Sequence, residues 1–273
     1  MSTPAACLLN GRPLAGDDPA LRVLAQSNYG HFTSLQVRGG AAQGLDLHLQ
    51  RLARGNAELF DAALDQARLR GWMAAAAGAL GGDCSLRVTV FSRQFDHRQP
   101  LRRLELDVLV AASAPVPAPA RALRVQARQF LREAPHLKHV GTFALFFHRR
   151  QALQAGFDDA LFVDGPTEAA RVVEGTVWNI GFWDGNGIVW PQAPALRGTT
   201  ETLLRSGLQV LGCPQQVRPV TRAELAGFQA AFAANASGLQ CIRAIDGVEY
   251  GECLELAALL QEALALAPWE PLA

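Results

Sequence analysis

Lysine is almost absent from this chain. Of its 25 positively charged side chains, one is a lysine, Lys138, and all the others are arginines. An arginine stays protonated in proteins, whereas a lysine amine can lose its proton and act as a nucleophile or a base. Lys138 is therefore a candidate for chemistry that a guanidinium group cannot perform. The alternative is a surface lysine left over in an arginine-rich composition.

Other absences narrow the class of protein. Positive and negative side chains are equal in number, and no block of basic residues occurs, which argues against nucleic acid as the main partner. No stretch approaches the roughly 20 apolar residues that span a bilayer, and the first residues lack the basic and apolar regions of a signal peptide. We expect a soluble cytoplasmic protein without a membrane partner.

The five cysteines are scattered along the chain. None forms a Cys-x-x-Cys pair or lies at zinc-ligand spacing from histidines, so the sequence predicts neither a disulfide framework nor a metal site.

What the chain does contain is enough apolar sequence for a large core. Apolar residues make up 49% of the 273 positions and charged residues 18%, which is typical of one large domain or two ordinary ones. Prolines alternate with other residues at 115–119, and this spacing favours an extended connector. We predict an N-terminal domain at 1–113, a linker at 114–122 and a C-terminal domain at 123–273.

Hydrophobic periodicity predicts a mixture of strands and helices, and hence an α/β (α+β) fold. Asp46 is predicted to be the N-cap of the first predicted helix. The segment 223–238 has a mixed pattern that predicts neither a single helix nor a single strand. Strands are predicted at 31–39, 84–92, 102–112, 122–130, 159–164, 178–191 (two strands joined by a turn at 184–187) and 240–250, and helices at 46–60, 63–80, 141–156, 200–212 and 253–266.

Lys138 follows a predicted strand and precedes a predicted helix. Such a position can present a side chain into a cleft, and an amine there can form a Schiff base with an aldehyde or ketone. A solvated lysine at the edge of a loop is the alternative.

Two further segments carry candidate chemistry. Glu174 stands directly before an apolar strand, so its carboxylate either faces water or needs a partner, which a pyridinium nitrogen could be. Thr199 and Thr200 open a helix after Gly198, and free N–H groups with hydroxyls at a helix N-terminus suit a phosphate. Ordinary N-capping by threonine is the alternative.

Taken in order, five segments resemble the class IV aminotransferases. They are DLHLQRL, LKH, VVEGTVWNIGF, LRGTT and FAANASGLQCIRAIDG, and the resemblance runs from about Tyr29 to Asp246. Proteins of this family are pyridoxal-phosphate enzymes of fold type IV, and they include branched-chain and D-amino acid aminotransferases and 4-amino-4-deoxychorismate lyase. The resemblance implies two domains, the larger C-terminal one with a β-barrel-like core. It also implies a homodimer with the active site near the subunit interface.

The resemblance also implies a role for individual residues. Lys138 matches the lysine that holds pyridoxal 5'-phosphate as a Schiff base, and Glu174 matches the glutamate on the pyridine nitrogen. Phe32 matches an aromatic residue on the substrate side. The residues that match phosphate-binding positions are Arg51, Thr199, Thr200, Asn235 and Ala236.

One position departs from the family pattern. Many of these transaminases have a tyrosine five residues after the lysine, where this chain has Phe143. The Leu-Lys-His run and the Asn235 loop are more similar to the lyase branch. We expect an aminotransferase that moves an amino group between an amino acid and a 2-oxo acid. The alternatives are an aminodeoxychorismate lyase that releases pyruvate and 4-aminobenzoate, or a non-catalytic binding protein on the same fold.

A substrate carboxylate needs a cationic partner. The sequence offers His31, Arg93 and His97 as candidates, with solvated loop residues as the alternative reading for each.

Overall fold

A computed structural model describes residues 5–116, 121–251 and 254–273. These residues form two compact units. Within the described residues, the first comprises 5–116, 137–141 and 268–273, and the second comprises 121–136, 142–251 and 254–267. Residues 117–120 of the predicted linker lie outside the described part, and the predicted domain boundaries stay predictions.

Sixteen strands and six α-helices follow one another in the described part of the chain. In chain order they are β1 (Ala6–Leu9), β2 (Arg12–Pro13), α1 (Pro19–Gln26), β3 (His31–Val37), β4 (Ala41–Gln43), α2 (Leu45–Phe60), α3 (Gln66–Gly78), β5 (Cys84–Phe91), β6 (Asp107–Ser113), β7 (Leu123–Gln129), α4 (Phe143–Gln154), β8 (Asp159–Val163), β9 (Val172–Gly175), β10 (Asn179–Trp183), β11 (Ile188–Pro191), α5 (Thr199–Val210), β12 (Gln215–Arg218), β13 (Ala230–Asn235), β14 (Gly238–Ile245), β15 (Val248–Glu249), α6 (Leu254–Ala265) and β16 (Trp269–Pro271).

The first unit is built on an antiparallel sheet with the strand order β2-β1-β6-β5-β3. A second, two-stranded sheet pairs β4 with β16. Strand side chains alternate between the two faces of a sheet. On β3 the residues Leu35 and Val37 point into the hydrophobic core, where they meet Leu49 and Leu52 of α2 and Met73 of α3.

The N-terminus of α2 corrects the prediction for Asp46. The N-cap is Gly44, in the left-handed conformation with φ of 62°, and no side-chain hydrogen bond caps the helix there. Glycine adopts this conformation at little cost. The N–H of Leu45 instead donates to the Glu270 carboxylate on β16, at 3.1 Å. Asp46 lies in the first turn of α2 and does not cap it. The acceptor at the helix start comes from a residue far along the chain.

The second unit contains one mixed sheet with the order β12-β11-β10-β13-β14-β7-β8-β9, and β15 pairs with β14. Strands β9 and β10 are joined by a short turn that the bond from Gly175 N–H to the Trp178 carbonyl closes, at 2.8 Å. The sheet curls into a half-barrel. Its inner side is apolar, with Val125, Phe182 and Ile242 among the buried residues.

Two helices cover the outer side of this sheet. Leu204 and Leu208 of α5 and Leu256 and Leu260 of α6 are buried against Trp190 and its neighbours. A Cβ at Gly207 would lie 2.0 Å from the Ala263 carbonyl oxygen, so α5 and α6 approach too closely there for any other residue.

Most predicted elements are confirmed with boundaries shifted by a few residues. The predicted strand at 102–112 is wrong at its start, because β6 begins at Asp107. Its partner β5 ends at Phe91, which pairs with Asp107, so earlier residues have no strand to pair with. The mixed segment 223–238 divides into a 3₁₀ helix, Arg222–Gly227, and β13. Within the described residues, no helix is long and apolar enough to cross a membrane.

Candidate active site

The backbone around Lys138 is fixed by pairing with β3. The N–H of Phe32 donates to the Lys138 carbonyl at 2.9 Å, and the N–H of Val140 donates to the Gly30 carbonyl at 2.9 Å. Between them, His31 and His139 form an antiparallel bridge. The backbone of the loop that carries Lys138 is thereby held against the start of β3 by an isolated bridge.

An aromatic ring lies beneath the Lys138 amine. Its Nζ is 5.0 Å from the ring centroid of Phe32. The guanidinium carbon of Arg87 lies 3.5 Å from the same centroid. Cations are attracted to the negative face of an aromatic ring, so Phe32 is a platform for two positive groups.

His48 lies close to two of the predicted site residues. Its Nδ1 is 2.6 Å from the Thr33 hydroxyl, and both side chains are buried. Burial, followed by the charges of Arg51 and then Lys138, lowers the pKa of His48 to about 3. The imidazole is therefore neutral at pH 7. The charges of Arg51 and Lys138, which lie far apart in the sequence, therefore both act on this imidazole.

Arg87 is a functional candidate that sequence reasoning missed. Burial lowers the pKa of this half-buried arginine to about 10. Its Nε donates to the Thr89 hydroxyl in a long contact of 3.4 Å, and no carboxylate of the described residues forms an ion pair with it. The signal was available in the alternation of β3 and β5, which places Phe32 and Arg87 on the sheet face opposite the core.

The three substrate candidates from the sequence are placed differently. His31 is buried, packs against Gly55 and lies 2.8 Å from Asn56 through Nε2, and burial lowers its pKa to about 4. Arg93 is held by Asp107 through contacts of 2.9 and 3.1 Å. His97 is exposed. The first two side chains are therefore already committed to partners inside the protein.

In the second unit, Glu174 is a buried carboxylate at the end of β9. Its Oε2 accepts from the Leu196 N–H at 3.2 Å, and its Oε1 lies 3.8 Å from Arg132 Nη1. The Glu174 side chain is 6% exposed, which excludes the reading that it faces water. Arg132 is a second residue that the sequence did not single out.

The predicted phosphate-binding residues of this unit also meet. The Thr200 hydroxyl donates to the Asn235 carbonyl at 2.8 Å, which joins the start of α5 to the end of β13. Asn235 accepts from the Ser237 N–H at 2.8 Å across the turn that contains Ala236. The first N–H groups of a helix have no acceptor inside the helix, so the start of α5 at Thr199 and Thr200 is suited to an anion.

The turn ahead of α5 connects these residues to Glu174. Asn179 Nδ2 donates to the Leu196 carbonyl at 2.6 Å, while the Leu196 N–H binds Glu174. A Cβ at Gly198 would lie 2.2 Å from Asn179 Oδ1, so a larger residue there would displace the Asn179 side chain. The carboxylate and the helix start are therefore held in one hydrogen-bonded network.

A family model described as amino-transferase class IV matches residues 30–245. The chain therefore belongs to the class IV aminotransferase family, and the resemblance seen in its motifs is confirmed. The prediction of an enzyme is confirmed as well. No curated protein sequence matches the chain.

Solved structures of this family share the fold. The branched-chain aminotransferase of the thermophilic archaeon Thermoproteus uzoniensis, solved with norvaline, is 19% identical over 96% of this chain and 94% of that chain, with a TM-score of 0.82. The PLP-bound form of a hypothetical aminotransferase from Mycobacterium tuberculosis is 22% identical over 96% and 98%, with a TM-score of 0.77. The 4-amino-4-deoxychorismate lyase from Pseudomonas aeruginosa is 28% identical over 94% and 97%, with a TM-score of 0.80. The predicted fold is confirmed.

The buried His48 predicts a pH dependence of stability. Its folded pKa of about 3 lies below its ordinary value of 6.5. Between these two pH values, His48 is therefore protonated in the unfolded chain and neutral in the folded protein. Stability should therefore fall as pH decreases from about 6.5 towards 3, by up to ~1.4 kcal/mol per pH unit for this group. The free energy of unfolding of His48→Gln, measured in urea, should change less steeply with pH between about 3 and 6.5 than that of the wild type. The exposed-site variant His97→Gln should keep the wild-type slope, and equal slopes for all three proteins would contradict the prediction.

Proposed function

We propose that this chain is a pyridoxal-phosphate-dependent aminotransferase that moves an amino group between an amino acid and a 2-oxo acid. Its family is that of the class IV aminotransferases, and pyridoxal 5'-phosphate is the cofactor. One observation carries the proposal. The sequence contains a single lysine. Its backbone is hydrogen-bonded to the start of β3, its amine lies near the Phe32 ring, and its charge acts on the buried His48.

The residues of the chain fit this cofactor. An aldehyde needs an amine, a pyridinium nitrogen needs an acidic partner, and a phosphate needs cations and N–H donors. Lys138 would hold the aldehyde carbon and Glu174 the ring nitrogen, and the phosphate would be bound by Arg51, Thr199, Thr200, Asn235 and Ala236. When bound, the cofactor supplies a ring that withdraws electrons from the substrate carbon.

Two groups of the protein would handle protons. The Lys138 amine, once the substrate amine has displaced it, would take a proton from the substrate α-carbon and return it at the next step. The Glu174 carboxylate would keep a proton on the ring nitrogen, because a buried carboxylate favours a cationic neighbour. An arginine at 138 could neither hold the aldehyde carbon nor take the proton from the α-carbon, since it lacks an accessible neutral form.

Arg87 is the residue that we propose for the substrate carboxylate. It shares the Phe32 ring with Lys138, and its guanidinium is desolvated without a carboxylate partner among the described residues. Arg93 has less support because Asp107 already holds its guanidinium. A charge-assisted bond from an arginine to a carboxylate is among the stronger contacts available to a small substrate.

A second candidate function is elimination of pyruvate from aminodeoxychorismate. Two observations favour it. Residue 143 is a phenylalanine and therefore offers no hydroxyl. It is the first residue of α4 and is 79% exposed. The P. aeruginosa lyase is more similar in sequence, at 28% identity, than the two aminotransferase structures described with it.

We also propose a homodimer. Helix α4 exposes three phenylalanines, Phe143, Phe146 and Phe147, and such a patch is typical of a surface that another protein chain covers. A monomeric mass in sedimentation equilibrium would contradict this.

The role of Lys138 predicts where the cofactor can be attached. Borohydride reduction of the protein with pyridoxal phosphate should fix the label on the peptide that contains Lys138, as read by mass spectrometry. Lys138→Arg keeps the charge but should lose the label and roughly 10²–10⁴-fold or more of the activity.

The matched control introduces a lysine elsewhere. Arg98→Lys places an amine at an exposed position, and it should leave the label on Lys138. A label on residue 98 or at the N-terminus in place of Lys138 would contradict the role of Lys138.

Single amino acids distinguish the two candidate reactions. Incubation of the loaded enzyme with a panel of amino acids should convert the bound cofactor to its pyridoxamine form and release a 2-oxo acid. The aminotransferase proposal would be wrong if no amino acid converted the cofactor. Release of pyruvate and 4-aminobenzoate from aminodeoxychorismate would then identify the reaction as elimination.

The proposed role of Arg87 predicts a change in substrate binding. Arg87→Gln should raise KM for the amino acid by roughly 10- to 100-fold, with a smaller effect on kcat, because it removes a charge-assisted hydrogen bond. Arg93→Gln serves as the control and should leave KM near the wild-type value. An unchanged KM for Arg87→Gln would exclude this arginine from the carboxylate site.

A further inference from the structure

Arg132 and Glu174 form a buried pair of opposite charges. Arg132 Nη1 lies 3.8 Å from Glu174 Oε1, and the two side chains are 7% and 6% exposed. Burial lowers the pKa of Arg132, and the Glu174 charge opposes that effect. A charge that is removed from water needs compensation, and each of these residues contributes to compensating the charge of the other.

The pair is held from three separate segments of the second unit. Glu174 is the penultimate residue of β9, Arg132 lies three residues after the end of β7, and the Leu196 N–H donates to Glu174 Oε2. One carboxylate oxygen is thus oriented by a backbone donor and the other by a positive charge. At 3.8 Å the Arg132 contact exceeds hydrogen-bond distance, so its effect on Glu174 is chiefly electrostatic.

The sign of the Arg132 charge matters for the role of Glu174. A carboxyl group buried in an apolar surrounding tends to take up a proton and become neutral. A neutral acid would no longer favour a proton on a cofactor ring nitrogen. A guanidinium group beside it counteracts this tendency, because it remains protonated.

We propose that Arg132 is a positioning residue for Glu174, keeping its carboxylate ionised and oriented towards the ring nitrogen of the bound cofactor. This inference rests on the proposed function, because it assumes that Glu174 is the partner of that nitrogen. It adds to the site a residue that would act through Glu174.

The first test uses the protein without cofactor. Arg132→Met removes a positive charge that compensates a buried carboxylate, and it should increase the unfolding constant in urea on the order of tenfold to a hundredfold. In the Glu174→Gln background the same substitution should have a much smaller effect, because residue 174 then carries no charge for Arg132 to compensate. Additive effects of the two substitutions would overturn the inference.

The second test reads the visible absorbance of bound pyridoxal phosphate. Arg132→Met should shift the absorbance band in the same direction as Glu174→Gln, whereas Arg132→Lys should retain most of the wild-type band. The matched control is Arg149→Met, which removes a guanidinium that lies 3.6 Å from the buried Asp159 in the same unit. This control should leave the band unchanged even where it lowers stability.

The outcomes separate this inference from the proposed function. If Glu174→Gln shifts the band and Arg132→Met does not, the inference is wrong and the role of Glu174 stands. If the wild type binds no pyridoxal phosphate, or Glu174→Gln leaves the band unchanged, the assigned role of Glu174 fails and the inference fails with it. Should Arg132→Met not fold, the double variant Arg132→Met/Glu174→Gln is expected to fold, and failure of both would overturn the inference.

Discussion

The pairing of residues 138–140 with the start of β3 is the interaction on which the candidate site in the first unit depends. Two backbone hydrogen bonds and the His31–His139 bridge hold the segment. A lysine in an unpaired loop would sample many directions, and its amine would lose entropy on each encounter with a cofactor. The backbone pairing removes the main-chain part of that freedom before any ligand arrives. The same pairing aligns Lys138 with Phe32, whose ring then lies beneath the amine.

Charge compensation shapes both units. In the first, two cations lie near His48, and the cost of their proximity is limited because burial and the charges themselves keep the imidazole neutral. In the second, the Glu174 charge is buried with Arg132 and the Leu196 N–H. The two arrangements differ in exposure, because the Arg132 and Glu174 side chains are buried whereas Arg51 and Lys138 are partly exposed to the water and salt that screen charges. They are what a phosphorylated, protonated aldehyde cofactor would require, since it carries charge of both signs.

Local sequence signals predict the elements but not their boundaries or partners. The helix after Gly141 and the hairpin around Asp184–Gly187 follow from periodicity and turn residues. Asp46 is the expected N-cap when only nearby residues are considered, whereas Glu270 supplies the acceptor. Arg87 belongs to no motif. Its significance arises from a neighbouring strand, which brings it over Phe32.

The sequence by itself indicated the family and the cofactor, and both are confirmed. It also offered Lys138 as our candidate for the covalent chemistry, because an imine requires an amine that can be neutral. Tertiary structure decided which charges share an environment. Thr200 with Asn235 and Arg132 with Glu174 are pairs of residues that lie far apart in the sequence, and the charges of Arg51 and Lys138 both act on His48. Their contacts follow from strand order and helix packing, which are set by burial across the whole fold rather than by local sequence.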